Sequence, residues 1–194
     1  VLRPDITWLD QRKAVMDKTP LIAVANRMLK TAGMGDFLKK LYRDGKCNGI
    51  RQNQPELWKK THKYLQISGF LNFRLTGNFI DSIASQIGHI PFNYKKMQWA
   101  GKYNPASLLY PIHKNKLPEL VKPGDVIGRI TKKARDATGI REHTPVIACG
   151  SDKGCETIGM GVIDKTMASL SFGTTATVQI TTDRYFEPLR FMPS

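Results

Sequence analysis

Thr144-Pro145-Val146-Ile147-Ala148-Cys149 is an apolar run of strand length that breaks at Gly150-Ser151-Asp152-Lys153-Gly154. The pattern predicts a strand, a tight turn and then a helix reaching Gly159. A continuously apolar strand suits a parallel sheet covered on both faces, as open α/β sheets are. Open sheets of that kind place ligands at the carboxyl ends of their strands. Asp152 stands at such an end, where a carboxylate can take a proton from an attacking hydroxyl. It is equally placed to cap the following helix, and the local pattern does not choose between the two.

Downstream, residues 168–172 and 176–181 read as two strands joined by Gly173-Thr174-Thr175. A glycine turn with two hydroxyls can cradle phosphate oxygens on its backbone N–H groups. By itself it reads as an ordinary hairpin turn. Upstream, residues 126–130 form a short strand, and Thr131 caps a helix through Thr138 that Gly139 stops. Residues 89–125 are rich in Pro, Gly and Asn and read as loops, with short helices near 105–109 and 117–120. Asp81 or Ser82 caps a short helix through Gln86. An aromatic-rich helix over 69–75 ends at Gly77, and Pro55 opens another over 56–66. Residues 10–44 look helical, with Leu38 and Leu41 among the apolar positions at helical spacing.

At the amino end lies Trp8-Leu9-Asp10-Gln11-Arg12. An aromatic face, a carboxylate and a guanidinium within five residues suit a sugar, whose hydroxyls bond to charged groups while its apolar face packs on a ring. The plainer reading is a helix start, with Asp10 in the first turn and Arg12 in a surface ion pair.

The composition bounds these readings. The chain has 194 residues, 41% apolar and 24% charged, which is globular and fits one domain or one domain plus part of another. Three cysteines exclude a disulfide scaffold, and an odd count without a signal segment suits a reducing cytoplasm. No run of about 18 apolar residues is present, so no membrane-spanning helix is expected. Both ends look cut, and the chain is expected to be a fragment. The net charge is +14, of which residues 1–65 supply +8, with 14 basic and 6 acidic side chains. Such a balance can signal nucleic acid, but no basic run or recognition motif accompanies it, and a solvated basic face is the favoured reading. Cys149 and Cys155 lack a second ligand pair, so no zinc site is assigned, and His62, His89, His113 and His143 are dispersed. Neither a Walker phosphate loop nor a Gly-x-Gly-x-x-Gly fingerprint is present.

Taken in order, five stretches resemble the FGGY family of carbohydrate kinases, closest to its xylulokinase-like members: 8–12; 53–58 leading to 69–77; 81–85; 149–152; and 171–175. The resemblance implies an actin/hexokinase-like (ribonuclease H-like) fold with two domains and a cleft where ATP, Mg²⁺ and a sugar or polyol meet. It implies Asp152 as catalytic base, Gly173, Thr174 and Thr175 as the ATP phosphate turn, and Trp8, Asp10 and Arg12 beside the sugar. On this view residues 1–165 are the later part of the first, sugar-binding domain and residues 166–194 open the second, ATP-binding one. The family's Asp-x-Gly-Thr strand is not found in residues 1–20, and its glycine-rich adenosine motif is missing, so the fragment alone is expected to be inactive. A cytoplasmic protein that self-associates through unpaired strand edges is expected, with no membrane or specific nucleic-acid partner. The competing readings are a non-catalytic sugar- or regulator-binding module and, less favoured, a basic nucleic-acid-binding protein. Steep weakening with salt would mark the last of these.

Overall fold

The computed structural model describes residues 1–7, 9–16, 35–173 and 176–186, without the side chains of 35–37. They fall into two compact units, Val1–Tyr64 with Gly88–Asn93 and Gln98–Pro118, and Leu65–Ile87 with Tyr94–Met97 and Glu119–Ser194.

In the first unit, α1 (Gly35–Asp44), α2 (Lys46–Asn53) and α3 (Pro55–Lys60) follow one another with single-residue breaks at Gly45 and Gln54. The buried Asn48 joins α2 to its surroundings. Its Nδ2 donates to the carbonyls of Tyr42, at 3.0 Å, and Leu109, at 2.9 Å. Leu38, Tyr42, Cys47, Ile50, Leu109 and Tyr110 of this unit are all buried. The two-residue strands β2 (Phe92–Asn93) and β3 (Gln98–Trp99) pair antiparallel, and Phe92 meets Trp99 edge to face at 5.6 Å. Next comes α5 (Pro105–Leu109), capped by the Asn104 side chain.

The second unit is built around α4 (Ile67–Thr76), which ends on Gly77 at φ 80°, a left-handed position glycine takes without strain. Beside it, β1 (Ile80–Ser82) pairs parallel with β4 (Glu119–Val121). β5 (Val126–Arg129) and β6 (Pro145–Ile147) form an antiparallel pair flanking α6 (Lys132–Thr138). α7 (Asp152–Gly159) leads to the hairpin of β7 (Ala168–Phe172) and β8 (Ala176–Ile180). The Phe73 and Phe79 rings stack at 4.3 Å.

The buried Asp81 ties this unit together. Its carboxylate oxygens accept from Ser68 Oγ at 2.7 Å, Asn72 Nδ2 at 3.1 Å, Gln86 Nε2 at 2.9 Å and the Ser82 N–H at 2.9 Å. Gly69 makes room for it, since a Cβ there would come within 3.2 Å of Asp81 Oδ2.

Several expected elements change. Residues 9–16 are irregular rather than the start of a helix, because the Asp10 side chain takes the Arg12 N–H and diverts the backbone. Of the expected helix over 10–44, only Gly35–Asp44 is seen, and 17–34 lie outside the described residues. The helix opened by Pro55 stops at Lys60, where Lys116 Nζ donates to the carbonyls of Trp58 and Thr61. Past that point the Tyr64 N–H turns to the Lys116 carbonyl at 2.7 Å. Residues 117–120 form no helix: 117 and 118 are irregular, and Glu119 and Leu120 begin β4. Asp81 and Ser82 end a strand before a single 3₁₀ turn, Ile83–Ser85, which Ser82 caps. β6 is antiparallel and half exposed, not parallel and doubly covered, and among the described residues β5 is its single strand neighbour. Helix α2 has no counterpart in the sequence reading.

Candidate functional site

In the first unit, the arm of residues 9–16 is strapped to the helices by backbone and amide bonds. The Ala14 N–H donates to the Arg43 carbonyl at 3.0 Å, and the Val15 N–H donates to Gln52 Oε1 at 2.8 Å. Within the arm, Arg12 Nε donates to both Asp10 oxygens, at 3.1 and 3.0 Å, and Arg12 Nη2 closes the fork on Oδ2. The hydrogen bonds from the Arg12 side chain and backbone hold the Asp10 carboxyl well below the usual carboxylate range, and Asp10 in turn pushes the Arg12 guanidinium up. Lys46, the first residue of α2, donates its Nζ to the Asp10 carbonyl at 2.5 Å. Arg3 Nη1 donates to Gln54 Oε1 at 3.1 Å. Arg3, Asp10, Arg12, Lys46 and Gln54 line a small, partly open pocket of about 40 Å³ that includes Ile6, Ile50 and Asn53.

Asp10 and Arg12 are thus brought together, but as partners of each other. Trp8 lies outside the described residues. Arg3, Lys46, Asn53 and Gln54 had no part in the sequence-based site. Lys46 and Asn53 ride on the unforeseen α2, so no periodicity signalled them. Arg3 stands five residues before Trp8, beyond the stretch that carried the motif.

In the second unit, the chain leaves β6 through Ala148, whose N–H donates to the Asp125 carbonyl at 2.9 Å. Ser151 Oγ accepts the Gly154 N–H at 3.1 Å and caps α7. The cap is therefore Ser151, and the open choice about Asp152 resolves away from capping. Asp152 is the first helical residue and is exposed. Its Oδ1 accepts the Lys153 N–H at 2.8 Å, and no other side-chain bond joins it to a described residue. Lys153 Nζ turns to Glu156 at 2.6 Å, which raises the ammonium pKa.

The hairpin follows the predicted strands closely, and Gly173 begins its turn. Thr174 and Thr175 lie outside the described residues. Thr157 Oγ1 donates to Gln179 Oε1 at 2.5 Å, linking α7 to β8. Among the described residues no three of His, Cys, Asp and Glu come together to hold a metal ion. No described helix is long and apolar enough to cross a membrane.

Residues 1–159 match the FGGY family of carbohydrate kinases, N-terminal domain. The uncharacterized sugar kinase YgcE of Escherichia coli is 38% identical over 109 residues, covering 55% of this chain and 22% of that protein. L-fuculokinase of Escherichia coli is 30% identical over 176 residues, covering 90% of this chain and 36% of that protein. Among solved structures, ligand-bound xylulose kinase from Lactobacillus acidophilus superposes with a TM-score of 0.66 at 23% identity, over 85% of this chain and 35% of that one. That likeness shows the fold: part of the α/β, actin/hexokinase-like architecture of sugar kinases. The chain spans about a third or less of the length of these relatives.

Proposed function

Because the chain belongs to the FGGY family of carbohydrate kinases, we propose that it forms part of a longer enzyme that phosphorylates a hydroxyl of a sugar or polyol, with Asp152 as general base. Residues 1–165 then belong to the sugar-binding domain, and residues 166–194 open the ATP-binding one. ATP with Mg²⁺ supplies the phosphoryl group when bound. The described residues hold no ligand set for the metal, so no step is assigned to it.

The observation that carries the reading is the state of Asp152. Ser151 takes over the helix cap, one Asp152 oxygen rests on the Lys153 N–H, and the other makes no bond to a described residue in this exposed side chain, so that in this reading it can meet a substrate hydroxyl. Asp152 orients that hydroxyl and takes its proton at the second oxygen as the hydroxyl oxygen bonds to the γ-phosphorus of ATP and the bond from that phosphorus to the ADP oxygen breaks, ADP leaving. Catalysis of this type is mainly positioning and electrostatics. In this reading Trp8, Asp10 and Arg12 lie beside the sugar, and the turn that begins at Gly173 offers backbone N–H groups to phosphate oxygens.

The test is Asp152→Asn in the longest polypeptide the gene encodes. Sugar-dependent ADP release should fall about 10²–10⁴-fold, the usual cost of losing a general base, while circular dichroism stays unchanged. A folded variant with near wild-type turnover overturns the assignment.

A further inference from the structure

We propose that the pocket of the first unit binds the carboxylate of a polyhydroxylated acid, so that the substrate is a sugar acid rather than a neutral sugar or polyol. This rests on reading the chain as the sugar-binding part of a kinase and names the substrate class at that site.

Positive charge is concentrated in this pocket. Arg3, Arg12 and Lys46 line the pocket against a single carboxylate, Asp10. Asp10 is consumed by Arg12, which forks onto both of its oxygens. Lys46 and Arg3 remain, and the bonds they make to described residues go to neutral oxygens: the Asp10 carbonyl for Lys46, and the Pro4 carbonyl and Gln54 amide for Arg3. An ammonium has three donors and a guanidinium five, so both keep N–H groups to spend on a ligand. Two cations whose hydrogen bonds to described residues all go to neutral oxygens, beside one carboxylate already forked by Arg12, are a poor host for a neutral polyol and a good one for a carboxylate, through short, charge-assisted hydrogen bonds. The surrounding segment adds to this, since residues 1–65 carry +8, a field that draws anions. The remaining lining suits the rest of such a molecule. The Asn53 and Gln54 amides can donate to and accept from hydroxyls, and Ile6 and Ile50 offer an apolar wall to its C–H face.

The experiment uses the full-length polypeptide and matched pairs that differ in one group: gluconate against sorbitol, xylonate against xylitol, galacturonate against galactose. Binding is measured by calorimetry at two salt concentrations, and turnover by ADP release. At least one acid should bind about tenfold or more tightly than its neutral partner, with the gap narrowing at high salt. Lys46→Gln and, separately, Arg3→Gln should collapse the acid-to-neutral ratio, and Lys46→Arg should preserve it. Using two sites and a conservative variant separates loss of charge from a folding defect at either one. If neutral partners bind as well as every acid, or both charge-removing variants keep the ratio, this inference is wrong while the kinase reading stands. If no member of any pair binds or is phosphorylated, the sugar-binding reading fails with it.

Discussion

Replacing Asp81 tests whether one buried carboxylate organises the second unit. The side chain is 1% exposed and accepts four hydrogen bonds. In Asp81→Ala the four donors do not suffer equally. Gln86 Nε2 keeps the Ser82 carbonyl at 3.0 Å, and Asn72 Nδ2 keeps the Ile80 carbonyl at 3.3 Å. Ser68 Oγ and the Ser82 N–H lose the acceptor described for each. Two stranded donors at about 1–3 kcal/mol apiece, with the space left by the carboxyl group, give a loss of about 3–5 kcal/mol. Asp81→Asn keeps one acceptor oxygen but turns an NH₂ toward groups that are themselves donors, for a loss of about 2–3 kcal/mol. Ser68→Ala removes one bond and should cost about 1 kcal/mol. The assay is urea unfolding followed by far-ultraviolet circular dichroism, with hydrogen exchange at the α4 amides as a local readout. Destabilisation should be greatest for Asp81→Ala, smaller for Asp81→Asn and smallest for Ser68→Ala. An Asp81→Ala protein within 1 kcal/mol of wild type, about the effect expected of Ser68→Ala alone, would refute the reasoning.

Gly128→Ala should destabilise the packing of β5 on α4 by about 1–3 kcal/mol, because its Cβ would lie 2.8 Å from Thr76 Cβ and 2.7 Å from Asn78 Nδ2; denaturant midpoints at constant slope will show it. Burial pushes the Cys47 thiol up to about 12, whereas Cys149 and Cys155 are exposed, so a disulfide reagent at pH 8 should titrate two thiols in the native protein and the third only on unfolding. Burial also holds the His89 imidazole below its ordinary 6.5, with Asp44 opposing the shift. The unfolded chain therefore takes up the proton first, and melting temperature should fall as pH drops through about 6.5, with a shallower slope in His89→Gln.

How much of this was legible beforehand depended on the range of the determining interaction. Thr131, Gly139, Gly77, the helix near 105–109 and the β7–β8 strands obey rules that act over a few residues, and they stand as read. The helix after Pro55 overran because its stop is supplied by Lys116, more than fifty residues away. α2 escaped notice because the side chain that anchors it is a buried asparagine bonded to Leu109, and apolar periodicity cannot register that. β6 was assigned two covered faces on hydrophobicity alone, since an apolar run says nothing about how many neighbours a strand will find. At the site, the Asp10–Arg12 pair was visible as a local motif. The cations opposite it were not, because Lys46 and Arg3 reach the pocket by folding rather than by spacing.

The parallel pairing of Ile80 with Glu119 bears on the order in which the molecule assembles. Between these partners the chain leaves the second unit at Ile87, contributes Gly88–Asn93 to the first, touches the second again at Tyr94–Met97, gives Gln98–Pro118 to the first, and returns. The hairpin of β7 and β8 pairs strands close together in the chain and can form within microseconds of collapse. The β1–β4 contact must close the whole excursion before any ladder bond forms; long separations of this kind slow folding far more than they weaken the folded state. On a ribosome, β1 emerges long before β4 and waits with its edge unsatisfied. Refolding from denaturant should therefore show the second unit's hairpin protected early and the amides of β1 last.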